Sequence, residues 1–367
     1  ESDEYQGINY LRRNYSNGIY SGFSDEWVSR TVRLDGQIRF HGRVHEFMRP
    51  FEGKTKMVGA LAGHTGYIYR SEEETVAHSR RNTVLLEQMI TDEPREVRWV
   101  SQLMNEYDSI GNRNGQRMMA RRGYQMMDGA KGDKPARIRG LFAAGMMRVE
   151  SQEGNWDEAC RIYQEITNNP DGISDVAAAY LELIAAESYF RLGDYRKSQT
   201  HCRSYLEYYD AHHNAAVDDA LDYQLFLMNT FDEPMFVLAA CMLMRTEMKE
   251  NNWDAFDQYF SRIPWSSKSD AAYRQYENDL LTVASEIIYN NRMRDMAETF
   301  WNATMTRDIL LTFLSGMSTR DTSGRWNIVR SICEAGLPHD DPDIAKIKEL
   351  QASHIRWVTS QNRSEEH

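Results

Sequence analysis

The chain has 367 residues, 41% of them hydrophobic and 27% charged, with a formal net charge of −12. That acidic balance argues against nucleic acid as a partner, because phosphate recognition needs a basic face that displaces counterions. No apolar run approaches the ~20 residues that cross a bilayer. Four scattered cysteines (Cys160, Cys202, Cys241 and Cys333) without CxxC spacing imply neither a zinc cluster nor a disulfide framework, and suit a reducing cytoplasm.

The chain opens on Glu1-Ser2-Asp3-Glu4, without Met or a targeting segment, and enters strand-like sequence at once. The expectation is that residue 1 is not the natural beginning. Residues 5 to about 69 have strand character. Tyr5 to Tyr10 mixes aromatic and β-branched residues, and Trp27 to Leu34 alternates. Asp35-Gly36 predicts a two-residue hairpin turn, since both turn positions need positive φ, with Gln37 to Phe40 as the return strand. Val58 to Leu61 is a further short strand leading into His64.

At Ser71-Glu72-Glu73-Glu74 the period changes. A hydroxyl that caps free N–H groups, followed by acids that suit the dipole, predicts a helix start. Val76, Leu85, Leu86 and Met89 continue it as an apolar stripe. Pro94 punctuates, and a second helix is predicted from about Arg95 to Ile110.

Consecutive helical hairpins follow. Their phrase is a small turn, an aromatic residue and a new helix: Gly154-Asn155-Trp156, Gly193-Asp194-Tyr195, Asn251-Asn252-Trp253, and a looser copy at Asn291-Arg292-Met293. The first two copies lie 39 residues apart, a little beyond the period of about 34 of tetratricopeptide (TPR) repeats. Asn169-Pro170 and Ile263-Pro264 fall after second helices. One helical hairpin cannot bury its own apolar face, so several stack. A last amphipathic helix is predicted between Pro338 and Arg363. The expected fold is therefore mainly α: a TPR-like solenoid over residues 95–363, a connecting helix over 71–94, and a small β-rich part over 1–70.

The chemistry-bearing residues sit at the front. His45-Glu46 and His64, the latter between glycines, are two imidazoles and a carboxylate delivered by short strands, able to hold a metal or move a proton. In a regular strand His45 and Glu46 would point to opposite faces. The same residues also read as surface histidines beside a capping glutamate. His212-His213 reads as a polar loop and the paired methionines (Met118-Met119, Met126-Met127, Met146-Met147) as adaptable packing. Tyr205, Tyr208 and Tyr209 read as either a peptide-binding face or packing between repeats.

Three phrases carry a resemblance. They are Arg30-Thr31-Val32-Arg33-Leu34-Asp35-Gly36-Gln37-Ile38-Arg39-Phe40-His41-Gly42-Arg43-Val44-His45-Glu46, then Gly63-His64-Thr65-Gly66-Tyr67, then Arg80-Arg81-Asn82 running on to Glu87. In this order and spacing, over roughly residues 5 to 110, the chain resembles family 2 glycosyltransferases of the GT-A fold with a C-terminal TPR region, a family that includes S-glycosyltransferases of the sublancin type. The resemblance implies transfer of a sugar from a nucleotide-sugar donor to an acceptor peptide, protein or glycan, assisted by Mn²⁺ or Mg²⁺. It implies that His64 helps to bind the metal beside the pyrophosphate, and that Glu46, or in second place His45, deprotonates the acceptor. Arg33 and Arg43 would contact phosphate or pair with acids, with pairing favoured for Arg43. Trp27 would stack on sugar or acceptor, or pack in a core. The N-terminal half of a GT-A domain and its D-x-D metal motif are not found in this sequence. The intact parent is therefore expected to be the enzyme and this stretch to be inactive alone. The TPR region would recognise the acceptor or form a homodimer. The competing reading is a non-catalytic TPR scaffold that docks a partner chain.

Overall fold

The computed structural model of the chain describes residues 5–16, 23–33, 36, 38–50, 54–68, 71–169, 171–213, 227, 229–263 and 340–364, with isolated positions between 283 and 337. The chain divides into two compact units, Glu1–Val149 with Asp171–Ile173, and Glu150–Pro170 with Ser174–His367.

The first unit carries the strands β1 (Gly7–Ser16), β2 (Phe23–Val32), β3 (Arg39–His41), β4 (Phe47–Arg49) and β5 (Thr55–Tyr67). One sheet has the order β2-β1-β5, with β2 antiparallel and β5 parallel to β1; the other is the two-stranded β3-β4. This corrects one sequence expectation. Among the described residues the stretch from Trp27 pairs with β1 and that ending at Phe40 with β4, not with each other. Gly36 does take the positive φ of a tight turn, 78°. The physical reason for the exchange is ladder length. β1 offers β2 a run from Gly7–Val32 to Tyr15–Phe23, reinforced by Arg13, whose Nε and Nη2 both donate to Asp25 at 2.8 Å. A four-residue return strand cannot match that.

The helices of the first unit are α1 (Glu72–Asp92), α2 (Val97–Ser109), α3 (Arg113–Gln125) and most of α4 (Asp133–Gln152). The second unit adds α5 (Trp156–Thr167), α6 (Asp175–Leu192), α7 (Tyr195–His212), α8 (Glu233–Lys249), α9 (Trp253–Arg262) and, last of those described, α10 (Pro342–Ser364). The fold is mainly α, as composition and period predict. The Ser71 hydroxyl accepts from the Glu74 N–H at 3.3 Å, which makes the predicted cap of α1 real. No described helix is long and apolar enough to cross a membrane.

The hairpin phrase has a common backbone. In each copy a residue of positive φ precedes the cap: Gly154 (73°), Gly193 (83°) and Asn251 (56°). The cap N–H then reaches back five residues, from Asn155 to the Glu150 carbonyl (2.9 Å), Asp194 to Tyr189 (2.9 Å) and Asn252 to Glu247 (3.0 Å). A further copy lies at Gly111-Asn112-Arg113, where Asn112 N–H reaches Tyr107 O at 2.8 Å and Gly111 has φ 70°. It lacks the aromatic residue, which is why an aromatic-led phrase passes over it. The closure needs a left-handed residue and a polar cap; the aromatic belongs to packing. Thus Arg191 lies over the Trp156 ring (5.7 Å) and Lys249 over the Tyr195 ring (3.8 Å). The looser copy at Asn291 lies outside the described residues, as do Pro170, Pro264 and Cys333.

Small residues bring the helices of the first unit close. A Cβ on Gly123 of α3 would meet the Phe142 ring of α4 at 2.2 Å, and one on Gly145 of α4 would meet Met104 Sδ of α2 at 2.7 Å. Arg139 of α4 is fully buried and its guanidinium donates to the carbonyls of Met127 (2.7 Å), Ala130 (2.6 Å), Asp171 (2.9 Å) and Gly172 (2.6 Å). A buried cation is tolerated here because carbonyl dipoles replace water. In the second unit α6, α7, α8 and α9 bury Leu183, Cys202, Tyr205, Phe236, Met244 and Phe256. Tyr205 is in that core, with its hydroxyl donating to Thr230 O at 2.8 Å. Met119, Met146 and Met147 are buried as expected of packing residues, whereas Met118 is exposed.

Gly123→Ala tests the close approach. Alanine favours an isolated helix by about 1 kcal/mol over glycine, but overpacking a fixed, fully buried ring costs about 1–3 kcal/mol. We expect a lower urea midpoint; an unchanged or raised midpoint would mean that Phe142 has room to move.

Candidate functional site

The site begins with an acid in an apolar stripe. Trp99, Leu103 and Glu106 recur at helical spacing on α2, and the first two are buried core side chains. An acid at the third position must find donors or lose its charge. It finds them on two other segments. Asn82 of α1 donates from Nδ2 to Glu106 Oε1 at 2.8 Å, and His45 Nε2 lies 3.1 Å from the same oxygen. Burial alone would raise the Glu106 carboxyl. Hydrogen bonds from His45, Asn82 and Ser79 outweigh it and hold the group below the ordinary glutamate value. Two of the phrases singled out in the sequence, one ending in His45-Glu46 and the other Arg80-Arg81-Asn82, thus meet at a residue that neither contains.

His45 is not in a strand. It lies in the bend between β3 and β4 with φ 52°, a left-handed conformation that non-glycine residues seldom adopt. The alternation of a regular strand therefore does not apply to His45 and Glu46. The left-handed turn is what lets the ring swing back onto α2. Such outliers persist where surroundings hold them, and they cluster at functional sites. A carboxylate can only accept, so Nε2 carries the proton toward Glu106 and Nδ1 is the basic nitrogen of the neutral ring. An imidazole oriented by a buried acid is suited to take a proton and be stabilised as the cation. Glu46 follows at an exposed position outside the strands.

A second pair stands beside the first. His41 Nε2 lies 2.8 Å from Glu93, the cap residue of α1, which also accepts from Trp99 Nε1 at 3.0 Å. The hydrogen bond from Trp99, then that from His41, holds Glu93 below the ordinary value. Phe47 of β4 packs on Trp99 at 5.5 Å, with the Arg98 guanidinium 4.3 Å over its ring. A cavity of about 200 Å³ opens among His41, Arg43, Met89, Glu93 and Trp99. Arg43 pairs with acids, as favoured from sequence: Nη2 donates to Asp92 at 2.9 Å and Nη1 to Gln88 at 3.1 Å.

The other candidates lie on the three-stranded sheet. His64 of β5 stands opposite Asn14 of β1, with Nδ1 2.9 Å from Asn14 Oδ1. Its Nε2 lies where a Cβ on Gly66 would be only 2.7 Å away, so the glycine two residues on gives the ring its space. Among the described residues no three His, Cys, Asp or Glu side chains are grouped to hold a metal ion. The described residues thus do not by themselves fit a divalent cation, and His64 could offer it one nitrogen. Trp27 of β2 is 40% exposed and faces Leu11 of β1 in the ladder, so it is outside the core. Arg33 is exposed at the edge of an open groove of about 470 Å³ lined also by Tyr5, Gln6, Thr31 and Lys56. His212 lies 3.6 Å from Asp175, and His213 stacks on Tyr209 at 4.7 Å.

Sequence reading missed Glu106, Glu93, Trp99 and His41. The available signal was the acid within the α2 stripe, where an apolar residue was due.

The carboxylates set an acid limit on stability. Glu106 titrates lower folded than unfolded, so it contributes stability above the ordinary glutamate value of 4.5, and that contribution is lost as pH falls through the lower folded value. Glu106→Gln should cost about 1–3 kcal/mol at neutral pH and flatten the fall in stability below that value. Denaturant unfolding at a series of pH values measures both; parallel curves for the two proteins would exclude Glu106 as the source.

No family model matches the chain. A stretch of 84 residues is 32% identical to the SPbeta prophage-derived glycosyltransferase SunS of Bacillus subtilis (strain 168), and the figures are the same for glycosyltransferase SunS of Bacillus phage SPbeta. The stretch is 22% of this chain and 20% of each relative, so the chain spans about a fifth of the length of the curated relatives it matches. Part of this chain is thus related to glycosyltransferases.

Proposed function

We propose that this chain takes part in glycosyl transfer from a nucleotide sugar to an acceptor, with His45 as the base and Glu106 as the residue that orients it. The observation that carries the reading is the convergence of His45 and Asn82 on Glu106, together with the partial similarity to glycosyltransferases. In this reading an acceptor hydroxyl or thiol places its proton on His45 Nδ1 as its oxygen or sulfur bonds to the anomeric carbon. The bond from that carbon to the nucleotide phosphate oxygen breaks, and the nucleoside diphosphate leaves. Glu106 stabilises the imidazolium while it lasts. Glu46, exposed beside His45, contacts the acceptor or takes the base role in its place. Arg33, with Lys56 across the same groove, and Trp27 would meet donor or acceptor. A bound Mn²⁺ or Mg²⁺ would supply positive charge near the donor's phosphates. His64 would be the residue of this chain to offer it a ligand.

The helical hairpins would present the acceptor, a peptide, protein or glycan, or a second copy of the chain. The recurrence of one turn in successive hairpins favours a second reading, a TPR-type module that docks a partner without catalysis.

Turnover of a panel of nucleotide sugars by the full-length protein, read as nucleoside diphosphate released with Mn²⁺ or Mg²⁺ present, separates the two. We expect His45→Ala to lower the rate by about 10²–10⁴-fold. Glu106→Gln should lower kcat while leaving donor KM unchanged. If His45→Ala and Glu46→Gln both turn over at the unaltered rate, neither is the base. Micromolar binding of extended peptides with no affinity for any nucleotide sugar would favour the docking module.

A further inference from the structure

We propose that the β3–β4 hairpin is an electrostatic strap that docks on and releases from the α1–α2 corner as a unit, so that the His45–Glu106 pair exists only in the docked state. The distribution of charge carries this. On the hairpin side stand Arg43 and Arg49, the acid Glu46, and His41 and His45, which are cations only when protonated. On the helical side stand Asp92, Glu93, Glu96 and Glu106, with the Arg98 guanidinium among them over the Phe47 ring. They pair as Arg43–Asp92 (2.9 Å), His41–Glu93 (2.8 Å), Arg49–Glu96 and His45–Glu106 (3.1 Å). In each pair the basic group belongs to the strap and the acid to the corner. Within the four pairs this sorting favours one seat for the segment.

Besides these pairs, the Arg43 N–H donates to Met89 Sδ at 3.3 Å and the Arg98 guanidinium lies 4.3 Å over the Phe47 ring. The ladder of the strap is Arg39–Arg49, Phe40–Met48 and His41–Phe47, and a two-stranded hairpin of that size is marginal by itself. Phe40 is 61% exposed, and the apolar anchors are Met48, which is buried, and Phe47 against Trp99. Gly42 supplies the close fit: at φ 110° a Cβ there would stand 3.1 Å from Trp99. The outermost pair, Arg43–Asp92, is more than half exposed on both sides, and exposed pairs weaken with salt. Docking is therefore tunable by ionic strength or by a competing anion, while α2 is secured by its own core residues. The link to activity rests on the glycosyl-transfer reading; the docking does not.

Hydrogen exchange of the full chain, followed by mass spectrometry, tests the strap. From ~0.1 M to ~1 M salt the Debye length falls from about 10 Å to about 3 Å. We expect amides in peptides covering 39–49 to exchange about tenfold faster across that range, with α2 peptides unchanged. Arg43→Asp should speed exchange in the strap at low salt, and adding Asp92→Arg should restore it. Strap exchange that ignores salt, or that rises only together with α2, overturns the proposal. So does a charge-swapped pair that fails to restore protection. The salt titration needs no substitution, so it stands even where a variant folds poorly. Absence of nucleotide-sugar turnover at low salt, in a protein whose strap responds to salt, would count against the glycosyl-transfer reading alone.

Discussion

One carboxylate organises the front of this protein. Glu106 sits in the buried stripe of α2, where burial works against its charge, and it keeps that charge by taking hydrogen bonds from His45, Asn82 and Ser79. Those donors come from α1 and from a bend between two short strands. A buried acid that requires donors from separate segments specifies where each must stop. The left-handed backbone of His45 is the local consequence: a cost of the order of 1–3 kcal/mol is offset by a charge-assisted hydrogen bond of similar size. The same geometry fixes which ring nitrogen faces outward, so structure and chemical capacity have a single origin.

Farther along the chain the constraint changes from charge to space. Helices α2, α3 and α4 approach closely because Gly123 and Gly145 present no Cβ to Phe142 and Met104. The loops around them are held by a guanidinium, with Arg139 donating to four carbonyls that would otherwise need water. In the helical hairpins of both units the turn is set by backbone closure, a left-handed residue followed by a polar cap. Buried Glu247 and Glu150 each accept from the cap side chain as well, from Asn252 at 2.8 Å and Asn155 at 2.9 Å. Where the turn recurs, the acid beneath it can recur too.

Much of this was legible in the residues. The switch at Ser71 from strand to helix, the extents of α1 and α2, the long β-rich front and the recurring hairpin phrase all follow from local rules. These are capping, period and turn chemistry, which act over a few residues and leave their mark in sequence. That Arg43 would pair with an acid was favoured from the sequence; that the acid is Asp92, 49 residues on, was not in it. Nor was strand pairing. Asp35-Gly36 is a sound turn signal, yet β2 found a longer ladder with β1, and no local rule compares a nearby partner with a better distant one.

By itself, then, the sequence determined the mainly α class and the helix starts and turns, because each depends on near neighbours along the chain, and it singled out His45 and Asn82 but not the Glu106 they share. Only the tertiary structure decided which of those residues meet. It set His45 against Glu106 and Asn82, gave His64 to Asn14 and left Glu46 exposed, since contacts between segments tens of residues apart are chosen by the competition for burial and for hydrogen-bond partners across the whole unit.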